Sequence, residues 1–267
     1  AGSGKTLVAS RLRARRPRRD EDSALEAAAI ASVAGLPVTP ADYGRPPFRH
    51  PHHSASAIAL VGGGPRPRPG EISLAHAGVL FLDELPEFDR RVLEMLREPL
   101  ESGRIHISRA AYQAEFPARF QLVAAMNPCP CGYSGDASGR CRCNTEAIRR
   151  YTGRVSGPLI DRIDMHVEVP RLPHAVLRGP PGESSTVVAA RVHAARAVQM
   201  VRSGTLNARL AARELERHCT LRPADQLLLE RAIERLGLSA RAWHRILRVA
   251  RTLADLEGRE GIHTAHL

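Results

Sequence analysis

Residues 79–84 read Val79-Leu80-Phe81-Leu82-Asp83-Glu84, so four apolar residues run straight into two adjacent carboxylates. Opened by Gly78 and closed near Pro86, a continuous apolar run of this length marks a strand buried on both faces. Two acids at the end of such a strand are costly unless positive charge meets them. Open α/β sheets bind ligands at the carboxyl ends of their strands. A magnesium nucleotide is therefore the candidate ligand for Asp83 and Glu84, and the rest of the chain can be tested against it.

The chain opens Ala1-Gly2-Ser3-Gly4-Lys5-Thr6, which fits the latter part of the phosphate-cradling pattern Gly, four residues, Gly-Lys-Ser/Thr. Glycines let backbone N–H groups face phosphates, and the following helix, expected over residues 5–14, offers its N-terminus to the anion. Gly2, Ser3 and Gly4 would line the phosphates, Lys5 would reach the β- and γ-phosphates, and the Thr6 hydroxyl would ligate magnesium. A chance Gly/Ser loop is disfavoured by Lys-Thr at the required offset. The pattern's first glycine, and the strand before it, would fall upstream of Ala1. A chain starting there is expected to lose a central strand beneath the nucleotide and to hydrolyse ATP weakly or not at all.

A second apolar run, residues 120–126, ends at Asn127. An amide closing a buried strand suits contact with a γ-phosphate or an attacking water, although strand-end asparagines commonly satisfy their own turns. Ser23 with Glu26 resembles a capping box for an Ala-rich helix. Residues 90–101 have helical spacing, and alternating residues on either side of Arg109 predict a β-hairpin. The loop 62–70 carries Arg66 and Arg68, and is either an exposed connection or a projection toward a phosphate backbone. His50, His52 and His53 lie in a proline-rich stretch best read as a structural loop. Residues 165–169 are a third strand candidate. Pro170, Pro173, Pro180 and Pro181 mark a linker, after which four segments within 184–256 have amphipathic helical periodicity.

Cys129-x-Cys131 and Cys141-x-Cys143 could hold zinc tetrahedrally as a structural site, though the spacing is tighter than the usual paired ligands. Cys219 stands alone. This pattern does not resemble a secreted disulfide framework, and no transmembrane span or signal peptide is visible, so a cytoplasmic protein is expected. The net charge of +11 is compatible with free use of arginine or with a polyanion such as nucleic acid.

Taken together these stretches resemble the magnesium-chelatase-related ComM/YifB family of AAA+ ATPases. The resemblance rests on Pro51-His52-His53-Ser54-Ala55-Ser56, Arg68-Pro69-Gly70-Glu71-Ile72-Ser73-Leu74-Ala75-His76, residues 78–88, Ala124-Ala125-Met126-Asn127-Pro128-Cys129-Pro130-Cys131-Gly132-Tyr133, Ser156-Gly157-Pro158-Leu159, Asp161-Arg162-Ile163-Asp164 and Leu238-Ser239-Ala240-Arg241-Ala242. It implies an α/β fold: a three-layer AAA+ P-loop NTPase core on a parallel sheet over residues 1–170, a Pro/Gly-rich linker over 171–185 and an all-α helical lid over 186–267. It implies that Lys5 and Thr6 hold phosphate and magnesium, Asp83 holds magnesium, and Glu84 activates water. Asn127 would be the first sensor, Arg162 an arginine finger acting on a neighbouring subunit, and Arg241 the second sensor. Arg162 could equally pair with Asp161 or Asp164, and Arg241 could be an exposed helical arginine. The family further implies ATP and Mg2+ as ligands and a hexameric ring. The Arg66/Arg68 loop and the Arg109 hairpin would line its pore against single-stranded or branched DNA, as in branch migration during natural transformation. The family's N-terminal domain, which resembles part of the Lon protease, is not matched. Two alternatives remain: a motor subunit of a magnesium chelatase, or a truncated, inactive paralogue.

Overall fold

The computed structural model describes residues 4–15, 17–108, 112–136, 139–170, 179–180 and 182–267. The chain forms two compact units, Ala1–Pro180 and Pro181–Leu267.

In the first unit, α1 (Lys5–Arg15) starts from Gly4, whose φ of 79° suits glycine and whose carbonyl accepts the Val8 N–H at 3.0 Å. α2 (Glu21–Val33) is capped by Asp20, whose carboxylate accepts the Ser23 N–H at 2.8 Å. The cap is thus Asp20 rather than Ser23, because Glu26 is engaged elsewhere: it bonds His76 and Arg119. Next come β1 (Phe48–Arg49), α3 (Ala57–Val61), β2 (Gly62–Gly63), β3 (Arg68–Pro69), α4 (Glu71–Leu74) and β4 (Val79–Leu82). They are followed by α5 (Arg90–Glu94), α6 (Arg97–Ser102), β5 (Arg104–Ser108), β6 (Gln113–Pro117), β7 (Gln121–Ala124), α7 (Thr145–Thr152) and α8 (Gly157–Ile160).

The central sheet has the order β1-β4-β7, and both pairings are parallel. All four residues of β4 are at most 1% exposed, as the apolar run predicted. Leu80 and Leu82 pack with Leu60, Ile72, Leu93, Leu96 and Leu159 on one side, while Phe81 packs with Ala9 and Ala125 on the other. Gly78 is required where it stands: a Cβ there would lie 2.2 Å from the Pro47 carbonyl oxygen. That carbonyl accepts the Val79 N–H and so sets the β1–β4 register.

The antiparallel β5–β6 hairpin forms as expected; Arg109 lies outside the described residues. Loop 62–70 contains a two-residue antiparallel pair, β2 with β3, and presents Arg66 and Arg68 to solvent. Two expectations are corrected. Residues 165–169 are not a strand; the third strand is β1, and Met165 and Val167 are 58% and 74% exposed with no sheet to cover them. The single helix expected over 90–101 is two, α5 and α6. Pro99 lacks the N–H that would bond the Met95 carbonyl, so the helix breaks one turn before it.

The second unit contains α9 (Ser185–Ser203), α10 (Ala212–His218), α11 (Pro223–Leu236) and α12 (Ala240–Leu256). Leu210, Leu215, Leu229, Leu247, Ala250 and Ile262 form its core. Asp255 is buried there and is matched by Arg202 at 2.6 Å and Arg251 at 3.1 Å, with Asn207 donating at 2.7 Å. Asn207 sits in a short 3-10 turn for that purpose, which divides the helix expected over 206–219. Among the described residues no helix is long and apolar enough to cross a membrane.

His76, buried just before β4, ties α2 to the sheet. Its Nδ1 accepts the Arg119 backbone N–H at 3.1 Å, so Nε2 carries the proton and donates to Glu26 at 2.8 Å. Burial lowers the His76 pKa despite the Glu26 carboxylate. Burial pushes Glu26 up, but the bonds from His76 and Arg119 outweigh it and leave its pKa lowered. Below its unfolded value of about 6.5, His76 takes up a proton more readily in the unfolded chain, so stability falls as pH drops through that region. The Glu26 contribution is lost in a second step below about 4.3. Denaturant midpoints should therefore decline as pH falls below about 6.5 in the native protein, and the decline should shrink in His76→Gln. An identical pH slope in the two proteins would contradict this.

Candidate active site

Three strand ends and one helix start meet at the carboxyl edge of the parallel sheet. Asp83 and Glu84 follow β4 directly. Pairing continues past the strands, with the Ala125 N–H donating to the Leu82 carbonyl and the Leu85 N–H to the Ala125 carbonyl, both at 2.9 Å. That extension brings Asn127 to the two acids. α1 reaches the same edge because Ala9 packs on Phe81 and Ala125. Lys5 Nζ then donates to Asn127 Oδ1 at 3.2 Å, and Thr6 Oγ1 donates to Asp83 Oδ2 at 2.6 Å.

These contacts join Lys5 to Asn127 across 122 residues and Thr6 to Asp83 across 77, so the grouping is a product of the fold rather than of local sequence. The donor set fits magnesium: a hydroxyl and a carboxylate oxygen are hard ligands, and this ion keeps its other positions for water and phosphate oxygens. The other Asp83 oxygen accepts the Glu84 N–H at 2.9 Å, which fixes the carboxylate's orientation.

Glu84 has φ 54° and ψ 46°, the left-handed region, although it is not glycine. That conformation costs about 1–2 kcal/mol, and such strain collects at functional positions. It turns the carboxylate away from the strand direction, with Oε2 3.3 Å from His53 Nδ1. The His53 ring centre lies 4.1 Å from that of His52 and 6.4 Å from that of Phe88, which it meets edge-on. The histidine stretch is a loop, as the sequence reading has it, and reaches Glu84 through His53. It follows β1 to the same sheet edge, but a strand of two residues leaves little trace in sequence.

Tyr151 of α7 was not legible either. Burial raises its pKa, the Asn127 backbone N–H pulls it down, and the charges of Glu87 and Glu84 push it up again. The phenol therefore backs Asn127 from behind. Arg154 donates to the Pro86 carbonyl and to Glu87, fixing the turn after Glu84.

Gly2 and Ser3 lie outside the described residues. Arg162 follows α8, with its side chain 14% exposed, and donates to Glu101 and to the Pro158 carbonyl, both at 2.6 Å. The fold gives it a distant carboxylate in place of the neighbours Asp161 and Asp164 that the sequence suggested. Its Nε is buried without a hydrogen-bond partner. Arg241 is exposed in the first turn of α12, in the second unit. The ligand atoms of Cys129, Cys131, Cys141 and Cys143 all lie within 4.8 Å of one another.

Residues 1–177 match the family model for magnesium chelatase, subunit ChlI, and residues 182–267 match the model for its C-terminal part. Across 269 residues the chain is 52% identical to competence protein ComM of Haemophilus influenzae, spanning 100% of this chain and 52% of that protein. The chain belongs to the magnesium-chelatase-related ComM/YifB family. It is 51% identical to the protein YifB of Escherichia coli, again over 100% of this chain and 53% of the relative. The chain thus spans about half the length of the curated relatives it matches. The magnesium-chelatase subunit ChlI of Trieres chinensis is 27% identical over 110 residues, 41% of this chain and 25% of that one. Family membership agrees with the observed α/β core and the helical unit after it.

The strain at Glu84 has a measurable consequence. Glu84→Gly removes the left-handed penalty and should leave thermal stability unchanged or raise it by up to about 1 kcal/mol, where a glutamate-to-glycine change elsewhere usually costs stability. A clear loss on a calorimetric scan would mean that the His53 contact outweighs the strain.

Proposed function

We propose that this chain is the motor part of an ATP-hydrolysing AAA+ protein that acts on DNA. The observation that carries the ATPase reading is the convergence of Lys5, Thr6, Asp83, Glu84 and Asn127 at one sheet edge. Lys5 and the start of α1 bind the phosphates. Thr6 and Asp83 would hold magnesium, which would neutralise charge on the nucleotide phosphates when bound. Glu84 accepts a proton from the attacking water, and His53 sets where its carboxylate points. Asn127 orients the γ-phosphate or that water. Glu84 and Asn127 hold their positions relative to each other because β4 and β7 are paired, so the base needs little reorganisation at the moment of reaction.

Arg162 is assigned as the finger that reaches a neighbouring subunit in a hexameric ring, and Arg241 as a second sensor. For Arg162 this requires release from Glu101, which makes that ion pair a holding contact between turnovers. Such a finger is worth about 10³–10⁵ in rate.

The DNA reading is supported by the charge of +11, by the exposed Arg66 and Arg68, and by 52% identity to a protein named for competence. Arginines on a projecting loop suit phosphate contacts that position a strand without reading its sequence. The reading as a chelatase motor is supported by the weaker ChlI match.

In the protein as its gene encodes it, Glu84→Gln should cut ATP turnover by about 10²–10⁴-fold while nucleotide affinity stays constant. Arg162→Ala should lower turnover about 10³-fold without weakening binding. Single-stranded or branched DNA should stimulate phosphate release. Unchanged turnover in Glu84→Gln overturns the assignment of the base. Equal loss of turnover and affinity in Arg162→Ala makes its pair with Glu101 purely structural. Stimulation by a porphyrin-binding partner protein and never by DNA favours the chelatase.

A further inference from the structure

Between β7, which ends at Ala124, and α7, which starts at Thr145, the described chain has no helix or strand. Connections longer than about 12–15 residues without secondary structure are uncommon in a compact domain and need something to pin them. Here four thiols converge. Cys129 Sγ lies 3.4 Å from Cys131 Sγ and 3.8 Å from Cys141 Sγ, and Cys131 and Cys141 are 3.7 Å apart. Cys143 completes the group within 4.8 Å. All four are free cysteines, and these separations far exceed a disulfide bond of about 2.05 Å. A tetrahedral zinc site with Zn–S of about 2.3 Å has sulfur–sulfur edges of about 3.8 Å, close to the separations seen. Thiols are weak hydrogen-bond partners, so their mutual contacts alone do not account for bringing four together.

We infer that Cys129, Cys131, Cys141 and Cys143 bind one structural zinc ion, and that this ion holds Asn127 in place beside Asp83 and Glu84. The local backbone is built for it. Gly132, at φ 79°, donates its N–H to the Cys129 carbonyl at 3.0 Å, making the tight turn that aims Cys129 and Cys131 at one point. The Ser134 N–H donates to Cys129 Sγ at 3.3 Å, which favours a thiolate. Across the loop the Arg140 guanidinium lies over the Tyr133 ring, 4.6 Å from its centre, and draws the second cysteine pair toward the first. Four sulfurs fill the coordination sphere, so the ion is structural and leaves no open position for chemistry.

The coupling to the active site is short. Cys129 is separated from Asn127 by Pro128 alone. At its other end the loop leads from Cys143 through the cap Asn144 into α7, whose Tyr151 meets the Asn127 N–H. A pinned loop therefore grips Asn127 from both directions. This second half of the inference rests on the nucleotide-site reading; the metal site itself does not.

The experiment uses purified protein under reducing conditions. Elemental analysis should find one zinc per chain, falling to none in Cys141→Ser/Cys143→Ser. Cobalt exchanged for zinc should give the near-ultraviolet charge-transfer bands and the visible d–d bands of a tetrahedral thiolate site. Removing the metal with a chelator should expose residues 125–144 to limited proteolysis and weaken binding of a fluorescent ATP analogue. Absence of stoichiometric zinc together with absence of a cobalt spectrum overturns the site, whether or not the double variant folds. Zinc whose removal leaves both proteolysis and nucleotide binding unaltered overturns the positioning of Asn127. Zinc present with a protected loop, in a protein that never binds nucleotide, upholds the metal site and overturns the nucleotide reading instead.

Discussion

The first unit depends on the parallel pairing of β4 with β7. Val79, Leu80, Phe81 and Leu82 stand opposite Gln121, Leu122, Val123 and Ala124, and a slip of one residue would turn Leu80 and Leu82 out of the larger core. The same register, carried on by Ala125 and Leu85, sets Asn127 against Asp83 and Glu84. β1 on the opposite side of β4 leads to His53. α1 adds Lys5 and Thr6 because Ala9 seats on Phe81 and Ala125. Packing chosen for burial thus also determines which polar groups meet. The two acids remain tolerable at this edge because each has a partner: Thr6 and the Glu84 N–H for Asp83, His53 for Glu84.

Much of this arrangement was legible in the sequence, for physical reasons that differ by element. Val79 to Leu82 announced a buried strand because both faces are apolar, and Lys5-Thr6 fits the end of a phosphate-loop pattern whose two side chains the fold brings to the strand ends. The hairpin of β5 and β6 was legible because its alternation has the period of a half-buried strand. Residues 165–169 alternate in the same way without forming a strand, since alternation records a pattern and not the presence of a neighbour to pair with. Phe48–Arg49 is too short to carry a pattern, and so His53 could not be placed. The contacts of Tyr151 with Asn127 and of Arg162 with Glu101 join residues far apart in sequence, so no local signal encodes them.

Buried polar groups specify the fold at two further places. His76 links α2, β4 and the entry to β7 through one ring with a defined tautomer. Asp255 gathers Arg202, Asn207 and Arg251 in the helical unit. In the helical unit, removing Arg202 or Arg251 would leave the buried Asp255 charge uncompensated, which costs about 3–5 kcal/mol. The side chains of Lys5, Thr6, Asp83, Glu84 and Asn127 are at most partly buried. In the first unit β4 and the His76 ring are buried, while the edge that carries these five residues stays accessible to solvent.

The central claim is that α1 and the strand ends form a single magnesium–nucleotide site. Magnesium-dependent binding of a fluorescent ATP analogue, compared in native protein, Thr6→Val, Asp83→Asn and the double variant, tests it most directly. Both residues serve one ion, so the double variant should bind no more weakly than the worse single variant, with each single loss about 10–100-fold and a coupling of about 1–3 kcal/mol. Losses that simply add, or binding indifferent to magnesium in all four proteins, would contradict the account.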